Sequence, residues 1–181
     1  MRVIAGEAGG RRLKSGKGRE ARPTGDRVKE ALYNILGNYV FEANILDLYA
    51  GFGGIGIEAI SRGAKKAIFV EKNRRHTKII EENLDLTRYN DKARVIKGDV
   101  LKTLPHLSDQ FDIIFLDPPY AELELYQTTL DLILEHNLIK EDGIVVFEAD
   151  SKKSPEIPQG YEVLKEKNYG DTSLTFLGVK S

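Results

Sequence analysis

Ile45-Leu46-Asp47-Leu48-Tyr49-Ala50-Gly51-Phe52-Gly53-Gly54-Ile55-Gly56 is the stretch on which the fold turns. Residues 45–50 read as a buried strand that runs straight into a glycine-rich loop, and residues 55–61 read as a helix closed by Gly63. A strand, a glycine loop and a helix in that order mark the ligand edge of an open parallel sheet. Glycines let the backbone turn tightly and approach a bulky ligand where a Cβ would collide. A tight turn with no ligand is the alternative. Gly51, Gly53 and Gly56 keep Gly-x-Gly-x-x-Gly spacing with a further glycine at 54, and the ligand expected is a mononucleoside such as S-adenosylmethionine rather than a dinucleotide.

Outward from the loop the chain alternates. Residues 67–71, 93–97, 111–117 and 143–149 read as strands, with helices over 76–86, around 101–107 and over 123–136. Near-continuous apolar strands separated by helices make a parallel sheet covered on both faces. Residues 161–167 and 173–179 read as two more strands, joined by a connection too short for a crossover helix, so they pair antiparallel. Upstream, Val28, Ala31, Leu32, Ile35 and Leu36 recur at helical spacing, with Asp26 as the expected N-cap and an end near Gly37. Residues 3–5 and 12–14 read as a small N-terminal β-hairpin. The division expected is a basic arm, 1–24, on an α/β domain, 25–181.

Composition narrows the chemistry. The 181 residues are 41% hydrophobic and 30% charged, those of a globular domain with a sizeable core. No apolar run is long enough for a transmembrane helix and no secretory signal is legible, so a cytoplasmic location is expected. With no cysteine, disulfides, thiolate nucleophiles and cysteine-held metals are excluded. His76, His106 and His136 stand far apart and read as surface or packing residues, so no metal is expected. Net charge is −1, but residues 1–24 carry +5 and the rest −6. A basic arm on an acidic body points to an anionic partner, or to a solvated extension.

Two acids and a tetrapeptide occupy the expected ligand edge. Glu71 ends the second strand, where a carboxylate can accept both ribose hydroxyls. Asp99 follows the third and can accept from an adenine amine. The fourth strand ends in Asp117-Pro118-Pro119-Tyr120. An aromatic exocyclic amine is a poor nucleophile because its lone pair is delocalised. Asp117 and the Pro118 carbonyl can accept its two hydrogens and concentrate the lone pair toward a methyl donor. The prolines stiffen the loop, and Tyr120 can stack on a base.

Asp117–Tyr120 resembles motif IV of the class I amino-methyltransferases, and the glycine loop resembles their motif I. Arg22-Pro23-Thr24, Arg27-Val28-Lys29-Glu30-Ala31-Leu32, the 47–56 segment and Tyr169-Gly170-Asp171-Thr172 together resemble the RsmD family, bacterial guanine-N2 methyltransferases of small-subunit ribosomal RNA. The resemblance covers essentially the whole chain. It implies a Rossmann-like class I methyltransferase fold, with a seven-stranded, mostly parallel sheet of order 3-2-1-4-5-7-6 and an antiparallel C-terminal hairpin. It further implies S-adenosylmethionine as methyl donor, no metal, a guanine presented within the small ribosomal subunit, and a monomer. By position, Asp117, Pro118, Pro119 and Tyr120 act on the base. Asp47, Tyr49, Gly51, Gly53, Glu71, Lys72, Asp99 and Val100 hold the cofactor. Arg11, Arg12, Lys14, Lys17, Arg19, Arg22 and Thr24 face RNA, with Arg22 and Thr24 open between the RNA and the methionine end. Phe52 departs from the family, which has a small residue there, and should alter loop packing.

Three other readings compete. A DNA adenine methyltransferase shares the tetrapeptide, but no target-recognition domain is visible in the 181 residues. A nicotinamide dehydrogenase is opposed by Asp117-Pro118-Pro119-Tyr120. A non-catalytic RNA-binding module would use the basic arm alone.

Overall fold

Residues 45–48 and 113–116 alternate between two environments, and that alternation builds the molecule. Ile45, Ile113 and Phe115 join one apolar cluster, while Leu46, Leu48, Ile114 and Leu116 join a second across the sheet. A sheet buried on both faces needs covering layers on each side. The computed structural model, which describes residues 1–17, 24–119 and 121–181, supplies them. The strands are β1 (Asn44–Leu48), β2 (Lys66–Glu71), β3 (Ala93–Lys97), β4 (Phe111–Leu116), β5 (Ile139–Asp150), β6 (Tyr161–Tyr169) and β7 (Thr172–Val179). The helices are α1 (Asp26–Leu36), α2 (Gly54–Ser61), α3 (Arg74–Thr87), α4 (Val100–Thr103) and α5 (Leu123–Glu135).

The sheet runs β3-β2-β1-β4-β5-β7-β6, the order the family resemblance implies. Strands β1 to β5 are mutually parallel, and β7 is antiparallel to both β5 and β6. Two boundaries differ from expectation. Strand β5 starts at Ile139 rather than Gly143, because Ile139 pairs with Phe111 across a register shift. The last two strands extend until only Gly170 and Asp171 separate them.

Two N-terminal expectations are corrected. Asp26 is not the N-cap of α1. Gly25 holds that position without a side-chain hydrogen bond, and the Asp26 carboxylate accepts from Arg2 Nε at 2.8 Å instead. A negative charge in the first helical turn still suits the helix dipole. The hairpin also pairs other residues than expected: Val3 and Leu13 N–H donate to the carbonyls of Arg11 and Met1, Gly10 N–H donates to the Val3 carbonyl, and the N–H groups of Ile4 and Ala5 leave the ladder.

They leave it because a side chain takes over. Glu58, wholly buried on α2, accepts Ile4 N–H at 2.8 Å and Ala5 N–H at 3.1 Å. The same carboxylate accepts from Arg62 Nε at 2.8 Å and lies 3.5 Å from Lys29 Nζ. Lys29 is buried too and donates to the Arg2 carbonyl at 2.6 Å. Burial pushes its amine below the usual lysine range, and Glu58 opposes that shift. Val3 and Leu13 enter the core with Leu32, Tyr33 and Ile57, so residues 1–14 pack as a layer of the fold. Among the described residues no helix is long and apolar enough to cross a membrane.

Candidate active site

Every parallel strand delivers its carboxyl end to one rim, and a cavity of about 1010 Å³ opens there. The 45–56 segment folds as its composition requires. Asp47, buried near the end of β1, accepts the Gly56 N–H at 3.0 Å, closing the loop back onto the strand. A Cβ on Gly56 would lie 2.3 Å from Phe69 Cε1 on β2, so only glycine lets α2 sit this close to the sheet. Glu71 completes the loop: Oε2 accepts Gly51 N–H at 2.8 Å and Oε1 accepts Asn73 N–H at 2.9 Å.

Most residues assigned to the cofactor meet here. Asp47, Tyr49, Gly51, Glu71, Lys72, Asp99 and Val100 all line the cavity. Gly53 does not; it turns the loop at φ +83° and packs toward Ile80 and Ile57, leaving Gly54 on the wall. Tyr49 lines the wall, but its hydroxyl is bound to Thr129 Oγ1 at 2.7 Å. Asp99 Oδ1 caps α4 through Lys102 N–H at 3.2 Å. Phe52, the departure from the family pattern, is buried with its ring edge-on to His76 at 4.9 Å, and its carbonyl accepts from Asn83 Nδ2. The larger side chain thus braces the loop against α3. Among the described residues no group of three or more His, Asp or Glu is placed to hold a metal ion.

Asp117, Pro118 and Pro119 line the other end of the cavity; Tyr120 lies outside the described residues. Tyr126, fully buried on α5, was not legible as a site residue. Its hydroxyl donates to the Glu148 carbonyl at 2.8 Å and lies 3.4 Å from the Pro118 carbonyl, clamping the loop after β4 to β5. Glu148 was missed as well, though an acid breaking the apolar 144–149 run at the ligand edge was the available signal. Its Oε2 accepts from Thr24 Oγ1 at 3.1 Å, and both residues line the cavity. Thr24 therefore belongs to the cavity wall.

Of the other residues assigned to RNA, the described ones do not line the cavity. Arg11 donates to the Leu86 carbonyl and Lys14 pairs with Glu82 at 2.9 Å. Arg12 and Lys17 are exposed, and Arg19 and Arg22 lie outside the described residues.

The cavity floor is acidic and strained by it. Burial, with a contribution from Glu71, pushes the Asp47 carboxyl up to about 8 despite the Gly56 N–H. Burial, then Glu148 and Asp47, push Asp117 well above the usual carboxylate range. An acid whose folded pKa is raised adds stability at low pH that is lost as pH rises through that pKa. Asp47→Asn, which keeps an acceptor for Gly56, is therefore expected to raise the melting temperature of the ligand-free protein by about 5 °C at pH 9, the shift that ~2 kcal/mol gives in a domain of this size. The gain should vanish near pH 4. A constant offset across that range would show that Asp47 does not titrate as its burial requires.

Residues 1–178 match the family model described as conserved hypothetical protein 95, which is the RsmD family. The chain belongs to it. A Haemophilus influenzae protein named ribosomal RNA small subunit methyltransferase D is 36% identical to this RsmD-family chain, covering 96% of it and 91% of the relative. The Escherichia coli protein of the same name is 29% identical, covering 96% and 87%. Among solved structures, Escherichia coli yhhF superposes with a TM-score of 0.88 at 29% identity, over 99% of this chain and 98% of that one. Haemophilus influenzae HI0767 gives 0.82 at 33%, over 99% and 98%. The RsmD-family chain has the class I methyltransferase fold.

Proposed function

We propose that this chain transfers a methyl group from S-adenosylmethionine to the exocyclic N2 amine of a guanine in small-subunit ribosomal RNA, in the cytoplasm. The names of its relatives support the RNA and the methyl transfer. The guanine rests on one observation: Asp117 and Glu148, two carboxylates, close the end of the cavity beside the Pro118 carbonyl. In the ionised form, which the raised proton affinity of Asp117 makes the high-pH form of the site, carboxylates only accept hydrogen bonds. Guanine presents two adjacent donors, N1–H and the N2 amine, whereas adenine sets its amine beside the N1 lone pair, which a second carboxylate repels.

The cavity fits the donor. Its volume suits a nucleoside-sized ligand, Gly51 and Gly54 open the wall, and buried Asp47 is destabilised until a cation approaches. Glu71 and Asp99, both on the cavity wall, take the ribose and the adenine in this reading. When bound, S-adenosylmethionine supplies a methyl group already activated on a sulfonium. Asp117 and the Pro118 carbonyl accept the amine hydrogens and aim the nitrogen. Tyr126 holds that carbonyl in place. The raised proton affinity of Asp117 suits its carboxylate to take the proton the amine releases. A base paired within a helix must be flipped to reach this depth.

The deciding experiment incubates the protein with methyl-labelled S-adenosylmethionine and unmodified small ribosomal subunits, then digests the RNA to nucleosides. Label in N2-methylguanosine is expected. Label only in N6-methyladenine of a parallel DNA sample would overturn the substrate. Separately, Glu71→Ala should weaken S-adenosylmethionine about 10- to 100-fold, from loss of roughly 1.5–3 kcal/mol of charged hydrogen bonding. Unchanged affinity by calorimetry would remove Glu71 from the site.

A further inference from the structure

The charges on α3 run against its own dipole. A helix N-terminus is partially positive and favours acids in its first turn, with cations in its last. Helix α3 has no acid in its first turn and no base in its last. Instead Lys72, Arg74, Arg75 and Lys78 crowd its start, all exposed. Arg74 and Lys78 stand four residues apart on one face, a like-charged pair that further destabilises the helix. They cannot cap it, since ammonium and guanidinium groups only donate; Asn73 Oδ1 accepts the N–H groups of Arg75 and His76 instead.

None of the four forms an ion pair among the described residues. Glu82, the i+4 partner within reach of Lys78, is taken by Lys14. The cations of the N-terminal hairpin, where charge counting places RNA contact, are largely committed internally: Arg2 to Asp26, Arg11 to a carbonyl, Lys14 to Glu82. Four cations without an ion pair among the described residues therefore stand together at the start of α3. That place adjoins the cavity, whose wall includes Lys72, Asn73 and His76. Across the mouth the rim carries Glu122, Asp150 and Asp171, with Lys152 only 3.9 Å from Asp171. A polyanion is repelled on that side and attracted on this one.

We propose that Lys72, Arg74, Arg75 and Lys78 form a ridge that binds the RNA phosphate backbone and sets the side from which the substrate strand enters the cavity. This rests on the RNA-methyltransferase reading and adds the docking surface to it. Arginine and lysine bind phosphate as charges here, with no base read by the ridge.

The test is the triple variant Arg74→Ala, Arg75→Ala, Lys78→Ala in the full chain, leaving Lys72 because it lines the cavity. The KM for small ribosomal subunits should rise about tenfold or more, with kcat within about twofold and S-adenosylmethionine affinity unchanged. The log–log salt dependence of RNA binding should flatten by about 2, from losing three contacts at roughly 0.7–0.9 each. Its melting temperature should hold or rise, because the lost charges oppose the dipole; a merely structural role predicts a fall. Lysine replacements at 74 and 75 should restore KM. Unchanged KM and salt slope, or a loss matched by unfolding, would overturn the ridge. A wild-type protein that methylates no subunit RNA would sink the functional reading instead, and filter binding of the triple variant to small-subunit RNA would still decide the ridge.

Discussion

Asp117→Ala lowers methyl transfer about 10³-fold, the loss expected when one preorganised partner of the reacting group is removed, while S-adenosylmethionine binds within about threefold of wild type. The separation follows from where Asp117 sits. It directly follows β4 and lines the cavity with Glu148 of β5, whereas the glycine loop follows β1, Glu71 ends β2 and Asp99 follows β3. Alanine leaves the amine with only the Pro118 carbonyl and lets its lone pair relax into the ring. Asp117→Asn separates aiming from proton transfer. Its oxygen still accepts, but the amide takes no proton, so a smaller loss of about tenfold is expected. Because burial and Glu148 raise the Asp117 pKa, wild-type kcat/KM should climb with pH through that raised value. The Asn variant should lack this acid limb. Full turnover in Asp117→Ala would remove the residue from the chemistry.

Glu58→Ala should cost about 3–5 kcal/mol of unfolding free energy, the penalty for removing one partner of a buried ion pair. Three losses coincide. Lys29 keeps a buried ammonium facing no carboxylate, the N–H groups of Ile4 and Ala5 lose their acceptor, and Arg62 loses its partner. Pairing Glu58→Leu with Lys29→Met should recover part of the loss but not the two backbone hydrogen bonds. Residues 1–14 should then exchange amide hydrogens early. Because Met1 packs against Gly54 and lines the cavity, cofactor affinity should fall with them. A urea midpoint that converts to less than ~1 kcal/mol of change would mean that the carboxylate does not hold the hairpin.

Periodicity carried the fold a long way. Alternating apolar strands and helices were legible, as was the final hairpin, because burial on two faces leaves its pattern in local sequence. Strand order is not a local property; it came through the family resemblance of several motifs. The boundary errors share a cause in distant partners. Nothing near Asp26 shows that Arg2 will claim its carboxylate, and nothing near Ile4 shows that Glu58 will end its ladder. Within the cavity, Asp47, Glu71 and Asp117 were readable because each is an acid at or near the carboxyl end of an apolar strand. Tyr126 was not, since a tyrosine on a helix's apolar face looks like core until the loop it clamps is placed beside it. The cations of α3 escaped because charge was counted along the arm, without knowing which side chains would be neutralised on folding.

The sheet order also constrains how the molecule is made. Strand β7 lies between β5 and β6, yet it follows both in the chain. Until residues 172–179 emerge, β5 offers a raw row of unpaired amides and carbonyls, and β6 has no neighbour to join. The β6–β7 hairpin must therefore dock as a preassembled unit or thread its second strand into a slot. Such an interval of exposed edge invites pairing between nascent chains. Translation stalled before Thr172 would leave an aggregation-prone remnant, with the cavity rim lacking its final strand.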